Sequence, residues 1–483
     1  MNVRYSCVID SGNVFAQTIT IWLATLMDLA KVPADHITVH AMDGCSPKLL
    51  EEIERWGVEL VVTAPHPTNW PYCNKLQQLS TPSLERADAV VLTDVDIAWG
   101  TPVDEQFLNK DICAKVVDLP NPEWDILHAL LEEAGLAGKA KEDYSTVGHQ
   151  RTLRGNCNGG FYIFSKGRLR QIREPWNKWA LWLNERRLAG RCTAHVDQLA
   201  LAFSLLELGL SFYDLPLEYN FPMHLLGSKQ AEPLRTISPK VLHYHNLLDA
   251  AGVLQTTGYK PVDHCVQSVN ESIRRSRRKH FSNRTFWNYR YEKKADLGSG
   301  VGSRGEVLER KRHILENCLA RWGSASVLDI GCGDLELTRN LNPRSYTGID
   351  ISEAAIEICR RKRPDWTFLS GEAGEAPKAR FDVVLCLDVL IHQHSEQAYR
   401  ALLEELASRA GDALVIGAYN QVPWHTSEIT FFYEPISASL QRLGFRDLEI
   451  LGGYRDTTVI MARNRQAPAA QTQGTTDQIR NLI

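Results

Sequence analysis

No Cys-x-x-Cys pair occurs in this chain, and its eleven cysteines lie singly from Cys7 to Cys386. Structural zinc sites want clustered thiolates and disulfide frameworks want a regular, even set, so neither is expected and a reducing cytoplasm is the simplest home. No apolar run approaches the ~20 residues that span a bilayer; even ALAFSLLELGL is broken by Glu207. The N-terminal MNVRYSCVIDSGN lacks a basic segment followed by an apolar stretch, so no signal peptide is expected. A strong charge of one sign is missing too. The net charge of −4 over 483 residues speaks against a protein that coats nucleic acid, which would be strongly basic. No internal repeat is visible.

What is present is ordinary globular material, 44% hydrophobic and 23% charged, at a length that fits two to four domains. VRYSCVID, HITVHAM, VELVVTA and ADAVVLTDVDIAW read as strands, with helical patterns FAQTITIWLATLMDLA and PKLLEEIERWG between them. A polar stretch, 138–155, precedes GGFYIF. SVLDIGC, YTGIDIS, FDVVLCLDV and DALVIGAYN begin the alternation afresh, so the fold class is α/β with two Rossmann-like halves. The boundary falls near residue 275. We expect domains at 1–265 and 283–463, a basic linker at 266–282 and a disordered tail at 464–483.

In the second half, VLDIGCGDLELT runs an apolar strand into Gly331-Cys332-Gly333, a turn that lets a ligand approach the backbone. Asp350 follows at the end of YTGIDIS, about 20 residues on, the spacing of a carboxylate that accepts ribose hydroxyls. A dinucleotide site would keep a third glycine so that pyrophosphate meets the helix N-terminus. Here Asp334-Leu335-Glu336 stands instead. Carboxylates repel phosphate but suit the amino group and sulfonium of S-adenosylmethionine.

On these residues, 283–463 resembles a class I methyltransferase. The resemblance implies that Asp329, Gly331 and Gly333 contact the amino-acid part of the methyl donor. It puts Asp350 at the ribose with Ile351 beside it, and Gly371, Glu372 and Ala373 at the adenine. Asp388, in CLDVLIHQ, would line the methionine and acceptor side. Leu335 departs from the family pattern, which usually has another glycine there. His392, four residues after Asp388, suits a base that takes a hydroxyl proton near neutral pH; a structural bond to Asp388 is an equal alternative. His425, in PWHTSEITFFYE, is the rival base. Enzymes that methylate amino groups of bases usually carry a proline-containing motif after the fourth strand. Its absence favours an oxygen acceptor, with a sugar hydroxyl the best fit.

In the first half, Asp94-x-Asp96 ends an apolar strand, where alternate side chains share a face and two carboxylates converge. A cation relieves their repulsion, and oxygen ligands favour Mg²⁺ or Mn²⁺. Upstream lies PYCNKLQQLSTPSLERADAVVLTDVDIAWGTPV, and downstream CNGGFYIF, HVDQLALA, PLEYNFP and VLHYHN. In that order the series resembles a GT-A glycosyltransferase of the glycogenin and lipopolysaccharide-galactosyltransferase type, across most of residues 1–250.

The resemblance implies that Asp94, Asp96 and His243 hold Mn²⁺ or Mg²⁺, with His245 the alternative histidine. Lys75 would lie near the diphosphate of a nucleotide sugar, UDP-linked hexose being the family's commonest donor. Asn158 and Gly159 would contact the donor sugar, and Asp197 and Gln198 would sit beneath its reacting carbon. Retention of anomeric configuration is implied as well.

The run Arg274-Arg275-Ser276-Arg277-Arg278-Lys279 fits an anionic membrane surface, nucleic acid or a solvated interdomain helix face, the last favoured. Three functions are therefore weighed. The first is a bifunctional enzyme that adds a sugar to a glycan acceptor, lipid-linked or free, and O-methylates a sugar hydroxyl in surface polysaccharide synthesis. It would be cytoplasmic or peripheral at the inner membrane face. The second is a methyltransferase whose first half is a silent glycan-binding module. The third, a nucleic-acid methyltransferase, is disfavoured by charge and by the missing proline motif.

Overall fold

Short runs rich in β-branched residues, ITVHAM among them, form strands buried along their whole length, as expected where helices cover both faces of a parallel sheet. The computed structural model describes residues 1–186, 195–424 and 426–463. Two units are formed, Met1–His280 and Phe281–Ile483, and each is α/β.

The first unit contains β1 (Val3–Ile9), β2 (Ile37–Met42), β3 (Glu59–Thr63), β4 (Ala89–Thr93), β5 (Ile97–Trp99) and β6 (Ile112–Val116). After them come the short hairpin β7 (Glu142–Asp143) and β8 (Thr152–Leu153), then β9 (Cys157–Ser165), β10 (Tyr213–Asp214), β11 (Phe221–Pro222) and β12 (Val241–His243). Its main sheet has the order β10-β6-β9-β4-β1-β2-β3. Strands β1 to β4 run parallel, and β9 is antiparallel to both β4 and β6. The order reverses at β1, which opens a crevice at the carboxyl ends of β1 and β4, the usual ligand position in such sheets.

The stretch 87–99, expected as one strand, is two. A turn at residues 94–96 ends β4, and β5 joins a separate sheet of order β11-β12-β5. Helix Asn13–Asp28 covers β4, its buried Trp22 donating from Nε1 to Thr93 Oγ1 at 2.8 Å.

Residues 266–282, expected as a linker, mostly belong to helix Lys260–His280 of the first unit. Its buried Val262, Val266, Val269 and Ile273 recur at helical spacing, and Arg277 is buried with Nη2 bonded to the Ala251 carbonyl. The apolar stripe governs this segment, and the arginine run rides on its far end. The expected tail, 464–483, lies outside the described residues.

The second unit contains β13 (Ser326–Ile330), β14 (Ser345–Asp350), β15 (Thr367–Ser370), β16 (Phe381–Leu387), β17 (Ala410–Tyr419), β18 (Asp447–Tyr454) and β19 (Thr457–Arg463). Its sheet order is β15-β14-β13-β16-β17-β19-β18, with β19 antiparallel to both neighbours. The reversal here lies at β13, so the Gly331 loop opens at the switch point. Among the described residues no helix is long and apolar enough to cross a membrane.

Candidate active sites

In the first unit the turn after β4 gives its two aspartates different partners. Antiparallel pairing of β5 with β12 sets His243 opposite Ile97, and Tyr244 N donates to the Asp96 carbonyl at 3.2 Å. His243 Nε2 therefore lies 3.2 Å from Asp96 Oδ1, and His245 Nδ1 lies 3.4 Å from Asp96 Oδ2. One ligand atom from each of Asp96, His243 and His245 falls within 4.8 Å of the others. A carboxylate with two imidazoles is a donor set that fits a divalent transition ion. His224, which the sequence did not single out, packs its ring edge on His245 at 4.1 Å.

Burial opposes the Asp96 charge, but His243 and His245 outweigh it and hold the carboxyl well below its ordinary range. Burial likewise opposes the His243 charge and is overcome by Asp96, which raises the imidazole. His224, under burial and facing both histidines, is pushed down to about 4.

Asp94 is not in that cluster. Its Oδ1 accepts from Lys75 Nζ at 2.9 Å, and the same ammonium lies 2.9 Å from Asp197 Oδ2. Lys75 also donates to the Gly159 carbonyl at 3.1 Å. A Cβ at Gly159 would come within 2.7 Å of Lys75 Nζ, so the missing side chain makes room for the ammonium. Burial works against the Lys75 charge, but Asp197 and Asp94 prevail and raise its pKa. Asp197 is buried, which raises its own carboxyl, and its Oδ2 is paired with Lys75. Gln198 is bonded through Nε2 to His195 Nδ1. Asn158 donates from Nδ2 to Asp118 Oδ2 at 2.7 Å.

In the second unit the strand order brings the expected residues to one end of the sheet. Gly331 and Gly333 have φ of 77° and 58°, a left-handed backbone that favours glycine. A Cβ on Gly331 would overlap Val389 Cγ2. Asp350 ends β14, where Oδ2 accepts from Gly333 N and Oδ1 from Ser352 N, both at 2.9 Å. It is 8% exposed, and burial pushes its pKa up to about 6. Two backbone donors leave lone pairs on both oxygens, so ribose hydroxyls remain acceptable partners. Gly371 N donates to the Asp350 carbonyl at 2.9 Å, which sets Gly371, exposed Glu372 and half-buried Ala373 beside that carboxylate's strand end. The Ile351 carbonyl accepts from Arg284 Nη1 at 3.0 Å.

Asp329 turns into the fold. Its Oδ2 accepts from Tyr346 and Thr338, and burial raises it to about 6 with Asp350 adding to the rise. Asp388, at φ 61°, accepts from Tyr454 Oη at 2.8 Å and pairs with buried Lys311. His392 takes a different partner from the expected Asp388. Its Nδ1 lies 2.7 Å from the Ile429 carbonyl and its ring meets the Trp287 edge at 5.2 Å. A carbonyl only accepts, so Nδ1 carries the proton and Nε2 has a lone pair. Burial lowers the His392 pKa, which keeps that lone pair available near neutrality. His425 lies outside the described residues.

Sequence reasoning missed Lys311, Tyr454, Lys115, Asp118, Asn220 and His224. Asn220 lies inside the PLEYNFP segment but is not singled out by it; the others are single polar residues without a motif, and only the fold carries each to a site.

A family model described as "Methyltransferase domain" matches residues 327–410. Phthiotriol/phenolphthiotriol dimycocerosates methyltransferase of Mycobacterium tuberculosis (strain ATCC 25618 / H37Rv) is 35% identical over 92 residues, 17% of this chain and 33% of that protein. Fatty-acid O-methyltransferase of Mycolicibacterium smegmatis is 27% identical over 132 residues, 25% of this chain and 47% of that one. The chain thus spans a third to a half of these relatives' length. Among solved structures, the DhpI–SAH complex overlaps 37% of this chain and 93% of its own at 16% identity and a TM-score of 0.31. N-methyltransferase NodS from Bradyrhizobium japonicum WM9 overlaps 32% and 94% at 18% identity and a TM-score of 0.28. Overlaps with scores this low carry no argument.

Proposed function

We propose, from the premise that the C-terminal region carries a class I S-adenosylmethionine-dependent methyltransferase domain, that the chain is a bifunctional transferase. Its second unit O-methylates a hydroxyl, and its first transfers a sugar from a nucleotide sugar to the same glycan acceptor. For the methyl reaction, the supporting geometry is the Gly331–Gly333 loop bonded to buried Asp350. S-adenosylmethionine supplies the electrophilic methyl group when bound. His392 Nε2 takes the acceptor's hydroxyl proton, while Trp287 and the Ile429 carbonyl fix the ring. The mycolicibacterial relative is a fatty-acid O-methyltransferase, which supports an oxygen acceptor.

The observation that carries the first-unit reading is the Asp96–His243–His245 cluster beside Lys75, itself flanked by Asp94 and Asp197. Such a cluster would hold Mn²⁺ against a diphosphate, and Lys75 would offset charge on the departing nucleotide. Asp197, held by Lys75 and next to Gly159, would face the donor sugar. The silent-module alternative would have no need of a buried lysine between two carboxylates.

A lipid-linked glycan would reconcile this acceptor with the lipid named for the mycobacterial relatives. The test supplies candidate glycan, UDP-hexose and labelled S-adenosylmethionine singly and together. One product carrying both the new sugar and the methyl group is expected. Methylation confined to molecules that never accept the sugar would overturn the coupling.

A further inference from the structure

A buried polar chain runs from the metal-ligand cluster toward Asn158, and neither proposed reaction has used it. His243 Nδ1 lies 2.9 Å from Asn220 Oδ1. An amide oxygen only accepts, so the proton sits on Nδ1 and Nε2 is the nitrogen that faces Asp96. Asn220 is fully buried and left-handed, with φ 51°, a conformation that asparagine tolerates. Its backbone carbonyl accepts from Lys115 Nζ at 2.6 Å, and the same buried ammonium bonds Asp118 Oδ1 at 2.7 Å. Asp118 Oδ2 then accepts from Asn158.

Two further observations show that the His243–Asn220 bond is built in rather than incidental. Among the described residues Asn220 Nδ2 has no hydrogen-bond partner, although the residue is fully buried. A side chain kept there at that cost is kept for what its oxygen does. Strand β9 also lays backbone against the bond. A Cβ on Gly160 would lie 2.7 Å from Asn220 Oδ1 and 2.8 Å from His243 Nδ1.

We infer that Asn220 is a positioning residue that fixes His243 so that Nε2 is offered to a divalent cation, with Lys115 holding Asn220 and Gly160 leaving it room. Partners of this kind orient metal-bound histidines through their second nitrogen. The inference rests on the metal-dependent reading of the first unit. It adds a link by which cation binding and the sugar-side Asn158 share one hydrogen-bonded chain.

The experiment titrates the full-length protein with Mn²⁺ and follows free Mn²⁺ by electron paramagnetic resonance. Asn220→Gly removes the amide without straining the left-handed backbone, and Asn220→Asp keeps the acceptor. Binding of S-adenosylhomocysteine reports folding of the second unit, and far-ultraviolet circular dichroism reports the whole chain. Asn220→Gly should weaken Mn²⁺ binding roughly 10- to 100-fold, Gly160→Ala should weaken it too, and Asn220→Asp should keep wild-type affinity. Wild-type affinity in Asn220→Gly would overturn the inference and leave the metal site standing. An equal loss in folded Asn220→Asp would also overturn it. Absence of Mn²⁺ binding in the wild type would overturn the metal reading itself, and the inference with it.

Discussion

Replacing Asp350 by asparagine separates its charge from its shape. The carboxylate accepts from Gly333 N and Ser352 N, both at 2.9 Å. An asparagine satisfies one of these donors and turns an NH₂ toward the other, which costs about 1–3 kcal/mol. Against this stands the charge itself. Burial moves Asp350 from 3.8 to about 6, a shift of roughly two units, or about 3 kcal/mol once the group is ionised. The folded pKa is above the unfolded one, so this stabilising proton is fully bound below about pH 4 and lost as pH rises to about 6. Burial raises Asp329 to about 6 as well, with the Asp350 charge adding to the rise.

The Asp350→Asn variant should therefore cost little stability at pH 7 and remove part of the fall between pH 4 and 6. Donor binding runs the other way, because ribose hydroxyls need the ionised acceptor. Hydrogen bonds to a charged group contribute about 1.5–3 kcal/mol, so Asp350→Asn should weaken S-adenosylhomocysteine roughly 10- to 150-fold at pH 7.5. Calorimetry from pH 5 to 8 should show wild-type affinity falling below about 6, with a flatter profile in the variant. Undiminished affinity in Asp350→Asn, or a wild-type profile flat across that window, would refute the ribose assignment.

Gly331→Ala drives a Cβ into Val389 Cγ2 at φ 77°. Overpacking and left-handed strain together should cost roughly 2–5 kcal/mol, read from the denaturant midpoint of the second unit, with donor binding lost. Lys311→Met strips a buried partner from Asp388 and should cost about 3 kcal/mol in the same measurement. The Tyr454 hydrogen bond alone does not replace it. His392→Ala should lower methyl-transfer turnover by about 10²- to 10⁴-fold with donor affinity unchanged, as rapid-quench turnover and calorimetry would show. A loss confined to melting temperature would return His392 to a structural role.

The glycine loop and Asp350 were legible because strand, turn and second strand lie within about 25 residues, where spacing alone fixes geometry. Asp96 with the HYH segment was legible in part. Asp94 and Asp96 take different partners because alternation holds within a strand, and residues 94–96 are a turn between two sheets. Lys75 and Asp197 are 122 positions apart and meet only through the fold. Strands β18 and β19 were not read, since LEILGGY and TTVIMAR carry no motif and their pairing is tertiary. The arginine run drew a linker reading because its charge masks the apolar stripe beneath it.

If two independent active sites share this chain, each can be silenced without the other. The most direct measurement follows the purified protein with sugar-labelled UDP-hexose and methyl-labelled S-adenosylmethionine on one glycan acceptor, in wild type, Asp96→Ala and Asp350→Asn. Wild type should transfer both labels, Asp96→Ala should lose only the sugar label, and Asp350→Asn should weaken only the methyl label. Sugar transfer that survives both chelator and Asp96→Ala, or no sugar transfer by the wild type with any donor while methylation proceeds, would contradict these expectations.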